Sequence, residues 1–334
     1  MKNKVLLLVN TGTPDKPEVK EVRRFLSEFL NDRRVIDLPW LFRKILVNLI
    51  IVPFRAPKST LLYKRLWTGK GSPLLYNLNN IVTRVQSKLK DKYNVLGAMR
   101  YGRPSLSGIL NEMKNNPPDL LIVFPLYPHY ASSTSGSVIE LTASIVRTWN
   151  VIPEIRFVGQ FYSHPGYLNI MADHISKYSP GKFDHVLFSY HGLPLSHIQK
   201  IHPGSDCSKC TCDESFPVNG TFCYKAVCYE TTKLLSSKLN LPSEKYSTSF
   251  QSRLTKKWLG PFTDETLIKL ARSGKKRVLV IAPSFVADCL ETTIEIKEEY
   301  LLLFKNEGGQ ELILVESLND NDAWSDVLIR LVDL

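Results

Sequence analysis

The 334-residue chain is 43% hydrophobic and 22% charged, a balance that excludes disordered and fibrous classes and provides enough apolar residues for two domains. Its formal net charge of +11 comes from scattered lysines and arginines, without a long basic block or an aromatic-basic motif. The surplus points to an anionic ligand or an anionic membrane surface and gives nucleic-acid binding no support.

At the N-terminus, MKNKVLLLVNTGTP has too short an apolar run for a signal peptide and lacks a small-residue cleavage site. It reads as a first core strand, and the protein is expected in the cytoplasm. Residues 37–58, DLPWLFRKILVNLIIVPFRAPK, are strongly apolar but interrupted by Arg43, Lys44 and Pro53. They fall short of the ~20 apolar residues that a spanning helix needs. Pattern alone leaves open a buried core helix or an exposed lip resting in a membrane interface beside its basic flanks.

Further along, apolar β-rich runs recur at 4–9, 94–98, 120–124, 155–158, 185–190, 245–250, 277–282 and 311–315, mostly alternating with helix-like stretches at 77–91, 138–149, 165–178, 228–239, 264–273 and 288–305. Continuous apolar strands with intervening helices imply parallel sheets buried on both faces, an α/β class. A break near Trp149, Asn150 and Pro153 separates two comparable halves. The expectation is two Rossmann-like domains, 1–150 and 151–310, with a C-terminal segment, 311–334. Neither G-x-G-x-x-G after the first strand nor G-x-x-x-x-G-K-[ST] occurs, so dinucleotide and triphosphate binding are not indicated. Ligands of such folds bind outside the carboxyl ends of the strands, which places segments 10–14, 100–101, 125–137, 189–194 and 284–291 around a crevice.

Those segments hold the residues that could do chemistry. Read as a helix, 288–299 places Asp288, Glu291 and Glu295 within an arc of roughly 60°. Like charges on one stripe suit a cation or a relayed proton; the simpler alternative is an acidic first turn complementing the helix dipole. His191, ending a strand in FSYHGLP, suits a general base near neutral pH, or simply hydrogen-bonds its own loop. The hydroxyl-rich run Ser132, Ser133, Thr134, Ser135, which follows Tyr127 to Tyr130, could donate to an anion such as a propionate at a helix N-terminus; an N-cap would need only one of these hydroxyls. Five of the six cysteines lie within 206–230, and Cys207, Cys210, Cys212 and Cys223 form C-x2-C-x-C-x10-C. Disulfides are not expected in a reducing cytoplasm, so the thiols point to metal, either Zn²⁺ or an iron–sulfur cluster, with spacing alone favouring zinc.

Taken together, VNTGTPD at 9–15, MRYGRP at 99–104, PLYPHYASSTSGS at 125–137, FSYHGLP at 188–194, KKWLGPFTDE at 256–265 and SFVADCLETTIEI at 284–296 resemble the ferrochelatases, which insert ferrous iron into a porphyrin. The likeness is colinear from about residue 4 to about residue 330. It implies two chelatase-type domains with the last helix packing back on the first, His191 as the catalytic histidine with Glu291 opposite, and Asp288 and Glu295 continuing an acidic path for metal or protons. It further implies that Arg100 and Tyr101 line the cleft, that Tyr127 and the 132–134 hydroxyls meet the substrate, and that Trp258 and Phe285 lie near the macrocycle, where their alternative is ordinary core. The 37–58 stretch matches the family's apolar lip, with Arg55 and Lys58 near propionates or lipid headgroups. Many members have histidine where this chain has Cys289, a position about 100° off the acidic stripe of a regular helix, so little consequence is expected.

The cysteine insert, about 203–228, is similar to that of bacterial members holding a 2Fe-2S cluster, which reverses the preference for zinc; Cys223 rather than Cys228 is expected as the fourth ligand. The implied reaction is Fe²⁺ insertion into protoporphyrin IX, giving protoheme at the last step of heme biosynthesis. Coproporphyrin III is the rival substrate, and a non-catalytic iron–sulfur or metal-sensing homologue is the rival class. Monomers and dimers both fit the family.

Overall fold

A computed structural model describes residues 3–201, 207, 209–217 and 220–332. Eight apolar runs become eight strands, and hydrogen bonding joins them into two four-stranded sheets. The first contains β1 (Lys4–Thr13), β2 (Asn94–Gly102), β3 (Leu120–Pro125) and β4 (Glu154–Phe157), in the order β2-β1-β3-β4. The second contains β5 (His185–His191), β6 (Tyr246–Gln251), β7 (Arg277–Ile281) and β8 (Glu311–Leu314), in the order β6-β5-β7-β8. All their ladders are parallel. All six residues of β3 are buried, as are all of β5 except His191, because helices cover both faces of a parallel sheet.

The chain divides into two compact units, Met1–Gln160 with Asn319–Leu334, and Phe161–Leu318. The division falls at 160/161 and 318/319, after the break read near 150, and β8 belongs to the second sheet. The terminal helix Asp322–Val332 is tied to the helix Pro73–Leu89 of the first unit by Lys88, whose ammonium meets Asp326 at 2.7 Å and Asp322 at 3.0 Å.

Two helices differ from the sequence expectation. Residues 288–305 do not form one regular helix: Asp288 and Cys289 precede it, Glu291–Tyr300 is a π-helix, and Leu301–Asn306 is α-helical. The apolar stretch forms a continuous helix over Trp40–Leu66, with a π-turn at Leu46–Ile51. Pro53 does not stop it, because proline lacks only a donor that a helix start leaves unpaired, and the i→i+5 turn before it supplies that local start. At 27 residues it is long and apolar enough to cross a membrane by length and composition alone, longer than the interrupted run suggested. Trp40, Leu41, Phe42, Leu49, Ile50 and Phe54 are exposed along it, which answers the choice between core helix and exposed lip in favour of exposure.

The close approach of the end of β1 to β2 depends on Gly12. It has φ +127°, and a Cβ there would lie 1.7 Å from the carbonyl oxygen of Tyr101 on β2. Gly69, by contrast, faces open space. Gly12→Ala should therefore cost at least about 1–3 kcal/mol in strain, whereas Gly69→Ala should stay within about 0.5 kcal/mol. Urea denaturation followed by tryptophan fluorescence checks this, and equal costs would refute the close approach.

Candidate active site

In the second unit the site grows from the last residues of two neighbouring strands. His191 ends β5 and pairs in register with Gln251, which ends β6. The chain then turns under restraint: Gly192 N donates to Gln251 O at 2.8 Å, Leu195 N to Lys257 O at 3.0 Å, and Leu259 N to Leu193 O at 2.9 Å. A Cβ at Gly192 would stand 2.8 Å from Gln251 O and 3.4 Å from the Trp258 ring, so the residue after His191 has to be small. This stitching brings the ring of Trp258 to 6.4 Å from that of His191, and Phe285 approaches it to 6.2 Å. His191 Nδ1 donates to its neighbour's carbonyl, Gly192 O, at 2.6 Å. Since a carbonyl can only accept, the neutral ring carries its proton on Nδ1 and leaves the Nε2 lone pair for a proton or a metal.

The three acids of the sequence stripe have different fates. Asp288 accepts from Thr292 Oγ1 and from Ser317 N, both at 3.2 Å, and so anchors the start of the π-helix. Glu295 is held by four donors: Gln251 Nε2 at 3.2 Å, Ser252 N at 2.9 Å, Ser252 Oγ, and Tyr300 Oη at 2.6 Å. Glu291 meets the Cys289 thiol, and burial together with this carboxylate pushes that thiol up. The expectation that Cys289 points away therefore fails. Helical rotation does not apply to a residue ahead of the helix, and its buried thiol turns onto Glu291. Among the described residues, no three His, Cys, Asp or Glu side chains form a metal-holding group, so His191, Asp288, Glu291 and Glu295 are not gathered on one point.

In the first unit, Arg100 and Tyr101 belong to a buried network around Asp32. Arg100 reaches Asp32 at 2.6 Å and Ser137 Oγ at 2.7 Å, while Tyr101 Oη donates to Asp32 at 2.8 Å. Tyr101 is only 1% exposed, inside an apolar cluster with Phe25 and Val52. Both residues hold the start of the helix Ser137–Val146, and part-buried Arg100 also lines a cavity with Lys20, Arg24, Asp32 and Lys44. The hydroxyl run 132–136 is a π-turn. In it Ser132 Oγ accepts from Arg34, which also pairs with Glu140, and Thr134 Oγ1 bonds Ala131 O. Tyr127 Oη meets Thr11 Oγ1 at 2.9 Å, and burial raises its pKa, so it stays a neutral phenol. His129 is buried and pushed down to about 3, hence uncharged at neutral pH. Arg55 and Lys58 are exposed on the lip helix.

The family model for ferrochelatase matches residues 3–334. A ferrochelatase of Legionella pneumophila (strain Paris) is 44% identical over 329 residues, covering 98% of both chains. One from Coxiella burnetii (strain Dugway 5J108-111) is 39% identical over 340 residues, 98% of this chain and 93% of its own. The chain belongs to the ferrochelatase family.

It is accordingly a lyase of heme biosynthesis that inserts metal into a porphyrin, with Fe²⁺ as its metal substrate. The fold is shared with two solved structures. These are CbiX, the terminal enzyme for biosynthesis of siroheme in denitrifying bacteria (12% identity, TM-score 0.50, 99% of this chain and 98% of that one), and SirB from Bacillus subtilis with Fe³⁺ (10% identity, TM-score 0.54, 99% and 94%). At such identities the likeness concerns the fold alone.

Within this ferrochelatase framework the cysteine insert brings some thiols near one another, although among the described residues they too form no metal-holding group. Cys212 is pushed up to about 12 by burial and by its neighbours Cys210 and Cys223, which lie within hydrogen-bonding reach. Cys210 Sγ reaches Cys207 O at 3.3 Å, and buried Lys225 donates to Cys210 O at 3.0 Å and meets Asp213 at 2.9 Å. Cys228 is instead fully buried beside the hydroxyl of Tyr224, burial raising its pKa. Sequence reading missed Asp32, Arg34, Gln251 and Ser252. The charges of NDRR hint at the first two, but nothing local marks a strand-end glutamine.

Although burial acts to raise it, the Asp32 carboxyl is held below its ordinary 3.8 by Ser137, the Arg34 amide, Arg100 and Tyr101. A lowered folded-state value means stability that is full above the unfolded pKa and lost as pH falls through the folded one. Asp32→Asn leaves part-buried Arg100 without its anionic partner and should cost about 1–3 kcal/mol near pH 7, the deficit shrinking below pH about 4. Urea titrations at both pH values measure the gap, and a gap independent of pH would contradict an ionised Asp32.

Proposed function

We propose that the chain inserts Fe²⁺ into protoporphyrin IX to form protoheme, with His191 and Glu291 sharing the handling of metal and protons. The observation that supports this reading is the open Nε2 lone pair of His191, whose Nδ1 is engaged by Gly192 O, while the Glu291 carboxylate meets the Cys289 thiol, a weak donor. Metallation expels two pyrrole protons, so a base has to accept them while Fe²⁺ exchanges water for nitrogen. Imidazole and carboxylate suit both tasks as bases and as borderline-to-hard ligands. Asp288 and Glu295 were expected to extend this path, but their hydrogen bonds support holding the π-helix in place. Trp258 and Phe285, beside His191, provide an aromatic wall against which a macrocycle can rest.

Protoporphyrin is preferred over coproporphyrin III on the character of the 127–137 loop. The exposed lip with Arg55 and Lys58 supports peripheral contact of residues 37–58 with an anionic membrane from a cytoplasmic location. Anaerobic Fe²⁺ insertion, assayed with both porphyrins, should be faster with protoporphyrin. It should fall by about 10²-fold or more in His191→Ala and in Glu291→Gln. Unchanged insertion in His191→Ala would remove the assignment.

The donor chemistry of the insert fits a 2Fe-2S cluster. Burial and neighbouring thiols push the Cys212 thiol up, so ligating a cation, which stabilises its thiolate, would relieve it. Cys207, Cys210, Cys212 and Cys223 would hold it, with Zn²⁺ as the alternative occupant. A bound cluster supplies one-electron chemistry, which a redox-neutral insertion does not need, so its role here is to order the loop or to sense iron supply. Cys223→Ser should lose visible absorption and acid-labile sulfide while Cys228→Ser keeps both; the opposite result would make Cys228 the ligand, and a colourless zinc-loaded protein would favour Zn²⁺.

A further inference from the structure

Gln251 is 1% exposed at the end of β6, and its polar groups reach four separate points of the site. Its main-chain oxygen accepts from Gly192 N at 2.8 Å, directly after His191. Its Oε1 accepts from Ser189 Oγ at 2.8 Å, two residues before His191. Its Nε2 donates to the main-chain oxygen of Glu291 at 3.0 Å and to Glu295 Oε2 at 3.2 Å. The side-chain amide therefore links the Ser189 hydroxyl, two residues before His191, to the backbone of Glu291, while the main-chain oxygen of the same residue holds Gly192.

Glu295 completes the bridge from the other side. Besides Gln251 it binds both the amide and the hydroxyl of Ser252, a residue at φ +63°, so the carboxylate holds the chain in a left-handed turn as it leaves β6. Tyr300, from the far end of the π-helix, donates to the same carboxylate. The start and end of the π-helix are thus both referenced to one strand end.

We infer that Gln251, locked by Glu295, is the positioning residue that sets the separation between His191 and Glu291. This inference rests on those two residues being the working pair. The amide does this where apolar packing could not, because hydrogen bonds fix direction as well as distance. Both Nε2 protons are used, so no other side chain of this size can replace the amide. Glutamate keeps the Ser189 contact but sets an oxygen against Glu291 O and the Glu295 carboxylate.

The test uses the full-length protein. Gln251→Glu and Gln251→Ala should each lower kcat for Fe²⁺ insertion by about 100-fold, the usual effect of misplacing reacting groups by about 1 Å. The porphyrin KM should stay within about threefold, since binding surfaces remain. In a Glu291→Gln background the same substitutions should change the residual rate by no more than about threefold, because the pair they align is already broken. Unchanged kcat in both variants would overturn the inference, as would an undiminished loss in the Glu291→Gln background. Loss of folding in both variants would also overturn it, by making the amide a structural group only. If Glu291→Gln and His191→Ala themselves insert iron at the full rate, it is the underlying pair that fails.

Discussion

Parallel pairing of β5 with β6 is the constraint on which the candidate site depends. Each ladder step fixes which residue stands opposite which, and here the last step sets His191 against Gln251. A slip of one residue would break the ladder hydrogen bonds and the close packing that each step shares with the helices on both faces. The histidine therefore inherits the rigidity of the second core, where Leu187, Val278 and Val280 pack against Leu267, Ile296 and Phe304. Since Ile296 lies on the π-helix itself, the same core fixes the element bearing Glu291.

Chemical differentiation of three like residues follows from how many donors surround each. A carboxylate that accepts several hydrogen bonds is stabilised as an anion, and stripping it to meet a metal would forfeit those bonds. Glu295 is in that position, and Asp288 partly so. Glu291 instead meets a thiol, a weak donor. The π-helix contributes by widening the turn, so that residues beside a functional group are displaced from regular α spacing.

In the first unit, a buried ion pair has a similar organising part. Asp32 gathers Arg100, Tyr101 and Ser137 from separate elements, joining the segment after the first helix, Val19–Leu30, to β2 and to the start of the helix Ser137–Val146. The pair is a matter of specificity more than of net stability, since desolvating both charges offsets much of their attraction. Arg55 and Lys58 remain exposed on the lip, outside this network.

The α/β class, the parallel strands and His191 at a strand end were all legible in the sequence, because hydrophobic periodicity and turn residues are local signals. The motif residues brought the ferrochelatase resemblance with them. What local pattern could not show was the sharing of hydrogen bonds among distant residues: Asp32 lies 68 positions from Arg100, and Gln251 lies 44 from Glu295. The helical-wheel reading of 288–295 failed for the same reason. Regular rotation assumes a regular helix, whereas contacts from Ser317, Gln251 and Tyr300 hold this segment in a non-helical lead-in and a π-turn. Sequence alone thus determined which residue types stand at the strand ends. Tertiary structure decided which of them remain free to act, because that depends on donors and charges supplied by other elements.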